Sequence, residues 1–216
     1  MGGKRLVRIA ATISLLALLA AFADVALIAS NVPKVPKEEP LPTIYDKPLD
    51  KPVEVPVYLQ ADERWGGLSY AGEDLAAAGC GLTCAAMAWE WLYGQTCTPA
   101  QMLGFVGESC LTDGVNDMEK FCRWMNANDQ ALGYTPIHDN ADDALDEAAG
   151  GWMVFCSLTG QLRDGGKSYG GQIVLLCGWD GETATFHDPY EGVVRLSRKQ
   201  YEQVDWAYFI AIGSAE

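Results

Sequence analysis

The apolar pattern of this chain changes period once, close to Gly150-Gly151, and that change limits the fold more than any other feature. Before it, the segments have helical spacing. Thr83 to Tyr93 reads TCAAMAWEWLY and stops at Gly94, and Thr98-Pro99-Ala100-Gln101 opens a second helix with a capping box and proline in its first turn. A third helix is predicted over about Val115 to Met125, with Phe121, Cys122, Trp124 and Met125 on its apolar side. A fourth runs from about Ala141 to Ala149 and ends at the glycine pair. After it, Trp152–Leu158 and Ile173–Trp179 are β-rich runs, and Asp180-Gly181 is a hairpin turn leading into Thr183–His187. Val193–Leu196 is a further strand, Ser197–Gln200 opens a short helix, and Trp206–Ile212 closes the chain as a strand. Helices first and antiparallel strands second predict a segregated α+β domain, its first helix buried against the sheet.

The N-terminal part reads differently. Lys4, Arg5 and Arg8 precede an unbroken run of apolar and small residues from Ile9 to Phe22, and Ala21-Phe22-Ala23 has the small-x-small form of a cleavage site. Residues 1–30 are therefore expected to be a signal peptide or an N-terminal membrane anchor. Asp24 speaks against a longer span through Ala29, because a carboxylate near the bilayer core costs a few kcal/mol. Either outcome exports everything after about residue 30. From Pro33 to Pro56 the chain holds seven of its ten prolines among Lys, Glu and Asp. Residues 31–56 thus read as an extended linker, whose Pro33–Pro56 stretch reaches roughly 70 Å at about 3.1 Å per residue. What remains, 57–213, is one domain with enough chain for a single core.

Charge narrows the partners. The formal net charge is −14, and from Val57 onward eight basic side chains face 23 acidic ones. Phosphate recognition needs a basic face, so nucleic acid is excluded, and the domain itself is repelled by anionic lipid. Seven cysteines in an exported chain suggest disulfides with one thiol left over, although Cys84, Cys156 and Cys177 sit in apolar runs that suit buried thiols equally well. No His/Cys group has zinc spacing and no glycine-rich phosphate loop is present, so no metal or cofactor is expected.

Chemistry concentrates at Gly79-Cys80-Gly81-Leu82-Thr83. A cysteine at a helix N-terminus meets unpaired N–H groups and the positive end of the helix dipole, both of which favour the reactive thiolate. Three features then recur in order: VYLQADERW from Val57, GCGLTCAAM from Gly79, and GGQIVLLCGWDG from Gly170 followed by His187-Asp188-Pro189-Tyr190. In this the chain resembles the double-glycine-peptidase-like family of bacterial papain-like cysteine peptidases, over about Val55 to Ile212. The proline common after GCG in that family is Leu82 here. The resemblance implies a papain-like fold, Cys80 as nucleophile, Gln60 as the side-chain donor to the oxyanion beside the Cys80 N–H, and Asp188 as the carboxylate orienting a histidine. The position of that histidine is held by Gln172.

A carboxamide does not titrate near neutrality, so Gln172 can neither take the Cys80 proton nor hand one to a leaving amine. Of the two histidines, His187 adjoins Asp188 but should face the other side of a regular strand, and His138 lies in a polar connection. Three outcomes stay open: a cysteine peptidase with His187 recruited as base, an inactive module binding peptides or peptidoglycan stems at the cell surface, and adduct chemistry at Cys80. Without its partners each residue reads more plainly. Cys80 would be a small residue at a glycine turn, Gln60 a polar residue before a turn, and Asp188-Pro189 a turn opener. Trp89, Trp91, Trp152 and Trp179 read as core, Asp142-Asp143 and Asp146-Glu147 as a solvated helix face, and Gly165 to Gly171 as a mobile loop before Gln172.

Overall fold

The computed structural model describes residues 54–128, 132–137 and 140–214. The expected targeting segment, the linker up to residue 53 and His138 lie outside them. Among the described residues no helix is long and apolar enough to cross a membrane.

Two short strands, β1 (Ser69–Tyr70) and β2 (Glu73–Asp74), pair before α1 (Leu75–Ala78), whose first turn is capped by the Asp74 carboxylate accepting from the Ala77 N–H at 2.9 Å. A single residue, Gly79, joins α1 to α2 (Cys80–Tyr93), which begins three residues earlier than its apolar run suggests and ends where Gly94 turns left-handed at φ 63°. The capping box opens α3 (Pro99–Val106) as expected. The third helix differs. Val115 and Asn116 form β4, paired with β3 (Leu111–Thr112) across Asp113-Gly114, so α4 covers only Met118–Asn128. Asp113 and Gly114 both have positive φ (51° and 77°), as a two-residue hairpin turn requires.

The rest of the chain builds one antiparallel sheet around α5 (Ala141–Ala149) and the one-turn α6 (Arg198–Tyr201). Its strands are β5 (Leu132–Ile137), β6 (Met153–Gln161), β7 (Ser168–Trp179), β8 (Thr183–Asp188), β9 (Gly192–Ser197) and β10 (Asp205–Ser214), in the order β5-β10-β6-β7-β8-β9. Alternation sorts the side chains. Met153, Phe155, Ile173, Leu175, Ile210 and Ile212 join the core formed with α2, α3 and α4. Val154, Cys156, Leu158, Val174, Leu176 and Phe186 join a second core closed by Ala144, Leu145 and Ala148 of α5 and Tyr201 of α6. The α+β expectation holds, with the addition that α5 covers the face opposite α2.

Two readings need correction, and one left open is decided. Ser168 to Gly171 extend β7, with Tyr169 opposite Gly160, instead of forming a loop. Trp89 and Trp91 are buried, but Trp152 and Trp179 are only partly so. All seven cysteines are unpaired, and of the two uses left open for them, disulfides and buried thiols, five take the second.

Candidate active site

Cys80 is half-buried at the first position of α2, and the glycines on either side of it have separate steric causes. A Cβ on Gly79 would lie 2.5 Å from the Leu75 carbonyl oxygen at the joint with α1. One on Gly81 would lie 2.6 Å from the Asn116 Cβ and 2.8 Å from the Met118 sulfur. Nothing larger than hydrogen fits at either place. The Cys80 sulfur faces the N–H groups of Ile173 and Gly81, and the Asn116 Nδ2 donates to it from 3.8 Å.

These donors do not prevail. Burial pushes the Cys80 thiol above its ordinary range, the Ile173 and Gly81 N–H groups pull it back in part, and the Asp188 charge raises it further. The thiolate expected from the helix terminus is therefore disfavoured at neutral pH. The dipole acts as about half a charge, whereas desolvation penalises the whole thiolate.

Gln172 and Asp188 meet across β7 and β8. The Gln172 Nε2 donates to the Asp188 Oδ1 at 3.2 Å, and both side chains are buried. Asp188 also accepts from the Tyr169 hydroxyl at 2.9 Å and from the Tyr190 N–H at 2.7 Å. Burial holds this carboxyl above the usual carboxylate range, and the bonds from Tyr190, Tyr169 and Gln172 offset that only in part. Gln60 is fastened by its N–H to the Pro189 carbonyl at 2.8 Å and by its Nε2 to the Ala76 carbonyl at 2.8 Å. The first bond ties it to the end of β8, the second to α1 just ahead of Cys80. An amide nitrogen carries two protons, so one Nε2–H remains to be given. The Gln60 Oε1 is buried without a partner.

His187 is elsewhere. Asp188 pairs with Gly192 and His187 with Val193 in unbroken register, so the two side chains leave β8 on opposite faces. The His187 Nδ1 lies 2.9 Å from the Pro56 carbonyl, which only an N–H can satisfy. Burial pulls its pKa below the ordinary histidine range, so the ring is neutral at pH 7.

Two residues here were not singled out by the sequence. Tyr169 holds Asp188, and Asn116 reaches Cys80 from the β3–β4 hairpin. Asn116 also lines a cavity of about 370 Å³ with Val115, Met118, Pro136, Tyr208 and Ile210. No sequence spacing marks either one, because their partners lie 19 and 36 residues away.

No protein-family model matches the sequence, and no curated protein does. Among solved structures, a C39-like peptidase from Bacillus anthracis aligns with a TM-score of 0.51 at 15% identity, over 78% of this chain and 100% of that one. The fold is papain-like. A double-glycine-motif protease from an AMS/PCAT transporter, solved with its leader peptide, aligns at a TM-score of 0.46 and 13% identity, over 78% of this chain and 99% of that one. In the papain-like frame of this chain, Cys80 begins the central helix while Gln172 and Asp188 sit on neighbouring strands.

Asp188 carries a stability prediction. Its folded pKa is raised, so the folded chain holds that proton more tightly than the unfolded one. The contribution is full below the unfolded pKa and is lost as pH rises through the raised value. Asp188→Asn offers an oxygen to Gln172 and Tyr190 and an amide to the Tyr169 hydroxyl, without a charge to bury. Thermal melts at pH 4 and pH 7 are expected to show the variant gaining on the unsubstituted chain as pH rises. A variant that loses ground to the unsubstituted chain between pH 4 and pH 7 contradicts the assignment.

Proposed function

We propose that this domain is a peptide-binding module of papain-like fold, displayed outside the membrane on its Pro-rich linker, that holds peptides or peptidoglycan stems beside Cys80 without efficient cleavage. The observation that carries this reading is the hydrogen bond from Gln172 to Asp188. A carboxamide fills the place where amide hydrolysis needs a titratable group, while the one described histidine is bonded to Pro56 on the other face of β8. Loss of general acid–base help costs about 10²–10⁴ in rate. Gln60 and the Cys80 N–H supply donors for a carbonyl oxygen, which serve binding as well as catalysis. The cavity next to Asn116 has an apolar wall suited to a ligand side chain. The apolar and charged N-terminal pattern supports export.

A peptide library screened for both binding and cleavage tests this. The unsubstituted chain and Cys80→Ala are expected to bind the same peptides, and neither should cleave faster than the other. His187→Ala should change nothing. Turnover that disappears in Cys80→Ala overturns the reading in favour of a peptidase, and if His187→Ala also abolishes it, the recruited histidine is the base.

A further inference from the structure

We propose that Asn116 is a positioning residue for Cys80, donating a side-chain N–H to the sulfur and so setting both the direction and the acidity of the thiol. The orientation of the amide is fixed by its surroundings. The Ala78 carbonyl can only accept, and the Asn116 Nδ2 lies 2.8 Å from it, so the nitrogen faces α1 and the oxygen faces away. The Tyr70 hydroxyl donates to that oxygen at 2.8 Å. One N–H is spent on Ala78. The other points to the Cys80 sulfur at 3.8 Å, within reach of a weak bond to sulfur.

A purely structural role accounts for the bonds to Ala78 and Tyr70, which pin the β3–β4 hairpin to the start of α2. It leaves the second N–H unexplained. The hairpin is also held tightly: its turn uses two positive-φ residues, the Lys120 ammonium donates to the Leu111 carbonyl at 2.6 Å, and Gly81 has no side chain because Asn116 occupies the space. Such a donor is carried on a rigid element and stays aimed at its acceptor.

The titratable groups facing Cys80 are Asp188 from β8, Cys84 one turn along α2, Tyr70 from β1 and Tyr208 from β10. None of them carries positive charge, so each, when ionised, disfavours the thiolate. Among the described side chains, Asn116 gives the sulfur a hydrogen bond that works the other way, because a donor stabilises the charged form. Asn116 thus partly counters Asp188. The inference rests on Cys80 as the centre of the cleft proposed above, and not on whether that cleft cuts peptides or only holds them.

The test is the pH dependence of Cys80 alkylation by iodoacetamide, resolved from the other six thiols by peptide mass spectrometry. Asn116→Leu keeps the approximate volume without a donor. Its alkylation profile is expected to move to higher pH, slowing the reaction at pH 7.5 by about threefold to tenfold, which corresponds to about half to one pKa unit. Leu145→Ala, which opens a cavity in the second core on the opposite face of the sheet, should lower the melting temperature and leave the profile in place. Overlapping profiles for folded Asn116→Leu and the unsubstituted chain overturn the proposal. If Asn116→Leu does not fold, the unsubstituted chain decides. The Asn116 side-chain amide resonance should titrate with the alkylation midpoint and stay flat in Cys80→Ala, and a resonance flat in both overturns the proposal. Peptide binding is measured apart from these profiles, so failure of the binding reading is seen separately.

Discussion

Gln172→His is expected to give the domain an amidase activity about 10²–10⁴ above the unsubstituted chain, the range that a placed acid–base group supplies. The Gln172 amide already donates to Asp188 at 3.2 Å, and an imidazole N–H can take over that bond. The carboxylate then fixes the ring and stabilises its protonated form, the role such an orienting group plays in a cysteine–histidine pair. Three pH effects follow together. The Asp188 carboxyl, now raised by burial, falls toward the ordinary range beside an imidazolium. The Cys80 thiol, now raised by burial and by the Asp188 charge, falls as well, so its alkylation profile moves to lower pH. Hydrolysis of a peptide mixture should follow a bell-shaped curve and vanish in Gln172→His with Cys80→Ala. His187→Ala in the same background should have no effect. A folded Gln172→His chain with an unmoved alkylation profile and no turnover would show that position 172 does not address Cys80.

The largest expected loss of stability lies beneath the site. Trp89 is 2% exposed and stands where three helices meet. Its ring centroid lies 4.3 Å from that of Tyr93 on α2, 5.8 Å from Phe105 on α3 and 5.4 Å from Trp124 on α4. Trp89→Ala removes that junction and leaves a cavity, at a cost of about 3–5 kcal/mol. For a domain of this size each kcal/mol shifts the melting temperature by about 2–4 °C. The Trp89 Nε1 is buried without a hydrogen-bond partner. Trp89→Phe thus loses volume but also an unsatisfied donor, and is expected to cost less than about 1.5 kcal/mol. Chemical denaturation of the two variants separates these contributions. A Phe variant as unstable as the Ala variant would mean that the indole nitrogen has a partner in solution.

What could be read from the sequence follows contact range. The Thr98 capping box, the α5 limits at Ala141 and Ala149 and the Asp180-Gly181 turn are local signals, and each marks an element of the structure. The β5 strand is not legible, because Gly133 and Pro136 weaken the strand pattern. An edge position tolerates both, since proline has no N–H to give and one side of an edge strand has no ladder partner to need it. The β3–β4 hairpin is hidden for another reason: with two residues per strand, it is held by Asn116 and Lys120 and not by alternation. At the site, Cys80, Gln60, Gln172 and Asp188 are marked by motifs, and in the structure the Gln172 amide donates to Asp188. The acidity of Cys80 is not legible in the sequence, where the helix terminus is visible but burial and the charge of Asp188 from another strand are not.

The seven unpaired thiols bear on how such a domain matures. With no crosslink in its native state, its folding calls for neither an oxidant nor a disulfide isomerase. Production in a reducing host is therefore expected to yield folded domain, with all seven thiols counted on labelling of the unfolded chain. Cys80 and Cys177 are the two partly exposed thiols, and burial shields the five others from oxidative damage while the domain stays folded.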